Sequence, residues 1–201
     1  MTSGCFLGRT RFSEYLIGYN GLSERGFRKW AFYPGMLFNS TDKWWGMGGE
    51  RDKPHEGLDL CLYRDEDGGN YSLGTTAKVP VMYEGGVVRI IDDFIGKSVF
   101  VSHAIYDGKG NQLHTIYGHV EPCDGIIRDT MLNEGDIIAT ITDAKKKKAK
   151  MSSHVHISVA WIPKTLYYKK LNWETLNHSS IVTLLDPLGV ISCKYAILRY
   201  P

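Results

Sequence analysis

Ser152-Ser153-His154-Val155-His156-Ile157-Ser158-Val159 decides how this chain is read. Apolar and polar residues alternate along it and β-branched side chains are frequent, which is the pattern of a strand. On a strand, residues i and i+2 point to the same face. His154 and His156 are therefore presented side by side on a backbone with little freedom, as a zinc site requires. Two polar residues on a solvated strand face is the plainer interpretation, and for an isolated His-x-His it would prevail. This pair has company. Pro54-His55-Glu56-Gly57-Leu58-Asp59-Leu60 offers a second set of candidate ligands, and Tyr117-Gly118-His119 offers another imidazole.

Outward from the His-x-His stretch the pattern stays β. Leu58 to Tyr63, Val79 to Tyr83, Val87 to Ile91, Ser98 to Ala104, Leu113 to His119 and Ile137 to Ile141 all read as strands. Glu84-Gly85-Gly86 predicts a hairpin turn, and Asp107-Gly108-Lys109-Gly110-Asn111 and Asn133-Glu134-Gly135-Asp136 predict further turns. Many short strands with glycine turns indicate a mainly β protein with an antiparallel core, a sandwich or a barrel. The first residues differ. Phe12 to Tyr19 and Leu22 to Phe32 carry helical spacing, with Ser23 as an N-cap and Pro34-Gly35 as the closing turn. The chain divides into a helical N-terminal extension at 1–44, a main domain at 45–190 and a packed tail at 191–201. A short helix is expected near Asn172 to His178. The adjacent Trp44 and Trp45 read as core or rim packing.

A length of 201 residues supports one substantial core. The 43% hydrophobic and 23% charged content is that of a soluble globular protein, and a net charge of +2 gives no argument for nucleic acid. No apolar run reaches the length of a transmembrane segment, and no signal peptide is visible. That leaves a cytosolic protein or a trimmed form, with Gly4-Cys5 as a faint trace of a lipoprotein acylation site. Cys5, Cys61, Cys123 and Cys193 are scattered and form no Cys-x-x-Cys, so buried thiols are expected rather than a zinc finger.

Zinc accepts imidazole nitrogen and carboxylate oxygen, and a catalytic site keeps one position open for water. His55 and Asp59 lie four apart with Gly57 between them, and glycine permits an unusual turn or a close approach that would let both side chains face one ion. In the order His-x-x-x-Asp, Tyr-x-His, His-x-His, the chain resembles the LytM and lysostaphin-type zinc metallopeptidases of bacterial peptidoglycan. Val79-Pro80-Val81, Gly85-Gly86-Val87-Val88, Val101-Ser102-His103, Asn133-Glu134-Gly135-Asp136 and Asp186-Pro187-Leu188 extend the likeness over roughly residues 45 to 190. The resemblance implies a β core of the duplicated-hybrid-motif type with the site in a groove. It implies one zinc per chain on His55, Asp59 and His156, with His119 and His154 handling protons or steadying the oxyanion. It also implies a peptidoglycan peptide as substrate and the cell envelope, periplasmic or secreted, as the location. One departure is the approach to His154. Relatives often carry a glycine- and serine-rich turn, whereas here Lys145-Lys146-Lys147-Lys148-Ala149-Lys150 precedes it.

Two other functions stay open at this level: a non-catalytic wall-binding or regulatory module on the same fold, and a zinc peptidase with a substrate outside the wall. The extension is expected to dock on the β domain and limit access to the groove, with Asn20 or Asn39 approaching the metal. His103 is expected to be a structural or supporting residue, and His114 and His178 to lie on the surface.

Overall fold

Strands dominate, as the alternating pattern predicts. The computed structural model describes residues 7–145, 151–178 and 180–200. Gly4-Cys5 and most of the lysine-dense stretch, 146–150, lie outside the described residues. In chain order the elements begin with α1 (Phe12–Tyr19) and β1 (Phe27–Phe32), followed by β2 (Leu58–Leu60), β3 (Leu62–Asp65) and β4 (Asn70–Ser72). Next come β5 (Lys78–Pro80), β6 (Gly85–Asp92), β7 (Lys97–Tyr106), β8 (Asn111–Pro122), β9 (Met131–Leu132) and β10 (Ile137–Ile141). The chain then forms β11 (Val155–Pro163), α2 (Trp173–Leu176), β12 (Thr183–Leu185) and β13 (Tyr195–Ile197). No helix among the described residues is long and apolar enough to cross a membrane.

The larger sheet runs β12-β11-β8-β7-β6-β9, with β2 added to β11 and β5-β10 joined to β8. Its described pairings are antiparallel. The smaller sheet, β13-β1-β3-β4, contains one parallel pair, β1 with β13. Period-2 alternation sorts the long strands between two apolar layers. Val99, Val101, Tyr117, Ile157 and Val159 face the main core, while Phe100, Ile116, Ala160 and Ile162 face a smaller cluster closed by Leu171 and Leu176. Phe12 and Leu16 of α1 enter the main core, and Trp30 of β1 donates from Nε1 to Ser13 Oγ at 2.7 Å. Tyr117 is fully buried because its hydroxyl is satisfied: it accepts from Met82 N at 2.7 Å and from Thr115 Oγ1 at 3.1 Å.

The structure corrects four expectations. Leu22 to Phe32 is not a helix: a 3-10 turn at Ser23–Arg25 ends on Gly26 in the left-handed region (φ 71°), and β1 follows. Pairing with β3 on one side and β13 on the other outweighs the helical spacing. Glu84-Gly85-Gly86 is not a hairpin turn, since β5 pairs with β10 and β6 with β7 and β9. Gly85 is there for a close approach: a Cβ would meet the Ser102 carbonyl and lie 2.6 Å from His103 Nδ1. Leu58 to Tyr63 breaks at Cys61 into strands of different sheets. His114 is buried rather than exposed.

His103 and His114 are buried within β7 and β8. His103 contacts the Glu84 carbonyl at 2.9 Å and Thr115 Oγ1 at 2.9 Å, and His114 Nδ1 donates to the Gln112 carbonyl at 3.0 Å. Burial pushes each imidazole down to about 4. The unfolded chain takes up these protons near pH 6.5 and the folded one near 4, so stability present above pH 6.5 is lost as pH falls through that window. The loss should reach about 3 kcal/mol per histidine. Denaturant unfolding of metal-free protein between pH 7 and 4 should show a shallower acid loss in His114→Phe than in wild type.

Candidate metal centre

The centre is built on the strand register. At His156, β11 has Asp59 of β2 directly opposite on one side and Gly118 of β8 on the other. Gly57 brings β2 close enough: a Cβ there would meet the Ile157 carbonyl and lie 2.6 Å from His156 Nε2. The glycine therefore serves approach rather than a special turn, since it carries no positive φ.

Three donor atoms converge. His55 Nε2 lies 3.1 Å from Asp59 Oδ1 and 3.1 Å from His156 Nδ1, and His156 Nδ1 lies 2.9 Å from Asp59 Oδ1. The far side of each ring is engaged elsewhere. His55 Nδ1 faces the Leu37 carbonyl at 3.0 Å, and His156 Nε2 faces Ser158 Oγ at 2.9 Å. A carbonyl only accepts, so His55 carries its hydrogen on Nδ1 and turns a bare Nε2 inward. His154 is arranged alike: Nδ1 donates to the Ser152 carbonyl at 2.8 Å, and Nε2 stands 3.5 Å from Asp59 Oδ1. All four side chains are almost fully buried.

Burial pushes His154 down to about 4 and His156 below its ordinary value, although Asp59 pulls both the other way. Both rings are therefore neutral at pH 7 and offer lone pairs. Burial also resists the charge on Asp59, but the rings of His55, His154 and His156 more than offset it and hold the carboxyl well below the usual range. Lone pairs thus meet a carboxylate in a buried space with too few hydrogens between them, an arrangement that calls for a cation. His55, Asp59 and His156 offer ligand atoms within 4.8 Å of one another. Ligands around a tetrahedral ion with bonds of about 2.0 Å stand about 3.3 Å apart, close to the observed spacings. The donor set fits a metal of the zinc type.

His119 comes from β8 in the left-handed region (φ 62°), uncommon for a residue with a Cβ. Asp93 holds it there. Asp93 Oδ2 accepts the His119 backbone N–H at 2.9 Å, and Oδ1 lies 3.2 Å from the ring Nδ1. Gly96 N at 2.7 Å and Ser98 Oγ at 2.8 Å also donate to this carboxylate, and Trp173 Nε1 donates to Ser98 Oγ at 3.1 Å. Burial works against the Asp93 charge, but the His119 ring and the Gly96 and His119 N–H groups keep its carboxyl below the usual range. The His119 ring packs edge-on at 4.8 Å from the His154 ring and at 4.7 Å from Phe94.

These side chains open into one cavity of about 350 Å³, walled further by Trp45, Arg51, Glu56, Phe94, Met151 and Trp173. The five residues picked from the sequence, His55, Asp59, His119, His154 and His156, all line it. No described residue before Trp45 does, contrary to the expectation of a blocking extension. Asn20 is bound to the Lys78 backbone at 2.8 and 2.9 Å, and Asn39 lines a different cavity. Asp93, Trp44 and Ser158 escaped the sequence reading. Asp93 belongs to no metal-type spacing and Ser158 looks like any polar strand residue. His103 stands outside the centre, and His178 is exposed as expected.

No family model matches the chain, and no curated protein matches it. Among solved structures, the SpoIIQ-SpoIIIAH pore forming complex is similar at 13% identity and TM-score 0.45, over 94% of this chain and 92% of that one. The catalytic domain of the antimicrobial peptidase lysostaphin from Staphylococcus simulans is similar at 11% identity and TM-score 0.43, over 83% of this chain and 93% of that one. A putative peptidase M23 from Pseudomonas aeruginosa is similar at 18% identity and TM-score 0.39, over 75% and 56%.

The close approach of β2 to β11 makes Gly57 critical. Gly57→Ala should destabilise the fold by about 1–3 kcal/mol, because the obstacle is a strand carbonyl that cannot swing aside. Urea unfolding of the metal-free protein measures it, and an unchanged midpoint would contradict the close approach.

Proposed function

We propose that the chain is a zinc-dependent metalloendopeptidase that hydrolyses peptide bonds in peptidoglycan, in cross-links or stem peptides, and works in the cell envelope. The observation that carries this is the convergence of two imidazole nitrogens and one carboxylate oxygen beside two further imidazoles in an open cavity. The His-x-x-x-Asp, Tyr-x-His, His-x-His order supports the substrate class. Zinc on His55, Asp59 and His156 would supply an acidified water and polarise a carbonyl.

The other two histidines have complementary designs. His154 Nδ1 is committed to the Ser152 carbonyl, so its Nε2 is a proton acceptor facing Asp59. His119 has its backbone N–H held by the Asp93 carboxylate and its ring Nδ1 at 3.2 Å from the same group. Of the pair, His154 is suited to take a proton and His119 to steady developing negative charge. Trp45, Phe94 and Trp173 give the cavity apolar walls that a peptide backbone can pack on.

Purified peptidoglycan of several chemotypes, digested with and without chelator and read by mass spectrometry, tests the activity. Release of peptide fragments that chelator abolishes is the expected result; intact peptidoglycan with folded, zinc-loaded protein would refute it. His119→Ala and His154→Ala should each lower the rate by about 10²–10⁴ while zinc content stays nearly intact. Zinc lost from His154→Ala would reverse the assignment within the His-x-His pair.

A further inference from the structure

Asp59 has two oxygens, and only Oδ1 faces His55, His154 and His156. Oδ2 points the other way and accepts the Trp44 indole N–H at 2.6 Å, with Arg51 Nη2 at 3.5 Å. Both partners are themselves anchored. Trp44 lies in a short loop closed by the Asp42–Glu50 bridge and by Lys43 N donating to the Gly49 carbonyl at 2.8 Å. Arg51 Nη2 donates to the Gly35 carbonyl at 2.9 Å and Nε to the Asp42 carbonyl at 3.1 Å, and its guanidinium lies 4.4 Å from the Trp45 ring centre. Gly35 has no room for a Cβ, which would lie 2.6–2.9 Å from the Asp42 carbonyl, Trp44 N and the Tyr200 hydroxyl. The same strap reaches His55, whose N–H donates to the Ser40 carbonyl at 2.9 Å and whose carbonyl accepts from Asn39 N at 2.8 Å.

We propose that the strap of residues 34–51 is the outer shell of the metal centre and that Trp44 is its positioning residue, holding Asp59 Oδ2 so that Oδ1 alone meets the ion. This rests on the metal-centre reading. A carboxylate engages a metal through one oxygen or two. Oδ2 accepts a 2.6 Å bond from Trp44 and faces the Arg51 guanidinium at 3.5 Å, and turning it to the ion would give up both partners. Asp59 is therefore a one-oxygen ligand, and the coordination position it leaves free is the one a water or a substrate carbonyl needs. The competing view makes Trp44 a plain wall, since its ring also packs on His154 at 5.1 Å and on Trp45 at 6.1 Å. The two views differ in the N–H alone.

Trp44→Phe keeps a ring and removes the donor. Zinc affinity, measured by competition with a chromophoric chelator on protein shown to be folded, should fall about 10–100-fold. Cobalt(II) in place of zinc should absorb more weakly in the variant than in wild type, because a freed Asp59 raises the coordination number. Unchanged affinity and spectrum would overturn the proposal and leave the metal centre standing. A folded wild type that binds no zinc would overturn both. If Trp44→Phe does not fold, a crystal structure of zinc-loaded wild type decides: Oδ2 on the Trp44 indole supports the proposal, and both Asp59 oxygens at bonding distance overturn it.

Discussion

Everything around the cavity follows from a single carboxylate oxygen, Asp59 Oδ1, that has three imidazole nitrogens for neighbours. A buried carboxylate is costly unless it is fully partnered, and the neutral rings of His55 and His154, whose hydrogens sit on their far sides, donate nothing to it. The chain spends its hydrogen-bond donors on the far sides instead. Leu37, Ser152 and Ser158 fix the rings from behind, and Trp44 and Arg51 take the outer oxygen of Asp59. Such a cluster is assembled against its own electrostatics by the packing beneath it. Leu58, Leu60, Val155 and Ile157 flank Asp59 and His156 on β2 and β11 and are buried in the main core. Since side chains alternate faces with period two, a slip of one residue between these strands would carry Asp59 to the opposite face.

What could be read from the sequence, and what could not, divides along the same line. His154 and His156 were legible because a strand converts a spacing of two into a shared face. His55 and Asp59 were legible because a glycine between two ligand types marks a close approach. The β class was legible in the alternation of β7, β8 and β11. The misreadings came where one signal has two physical meanings. Gly85-Gly86 can mark a turn or a strand crowded by its neighbour, and here His103 and the Ser102 carbonyl crowd it. Leu22 to Phe32 has helical spacing, yet Gly26 and two waiting strand edges make its second half β1. The supports of the centre left no trace at all. The carbonyls of Leu37 and Ser152 belong to the backbone, which has no sequence signature, and Asp93 meets His119 only through the fold.

The N-terminal residues show how strongly tertiary context reassigns a segment. As a stretch of sequence it looked like an appendage able to cover the groove. In the fold, β1 sits inside the smaller sheet between β3 and β13, and the chain leaves it through Pro34–Met36 directly into the strap behind Asp59 and His55. Asp59 in turn lies two residues before Cys61, where the chain passes from β2 in the larger sheet to β3 in the smaller one. The centre therefore stands where the two sheets are joined, reached by β11 and β2 from one and by the strap from the other. An ion bound there would tie these elements together, and since the unfolded chain has no such site, its binding free energy would become folding free energy for both sheets.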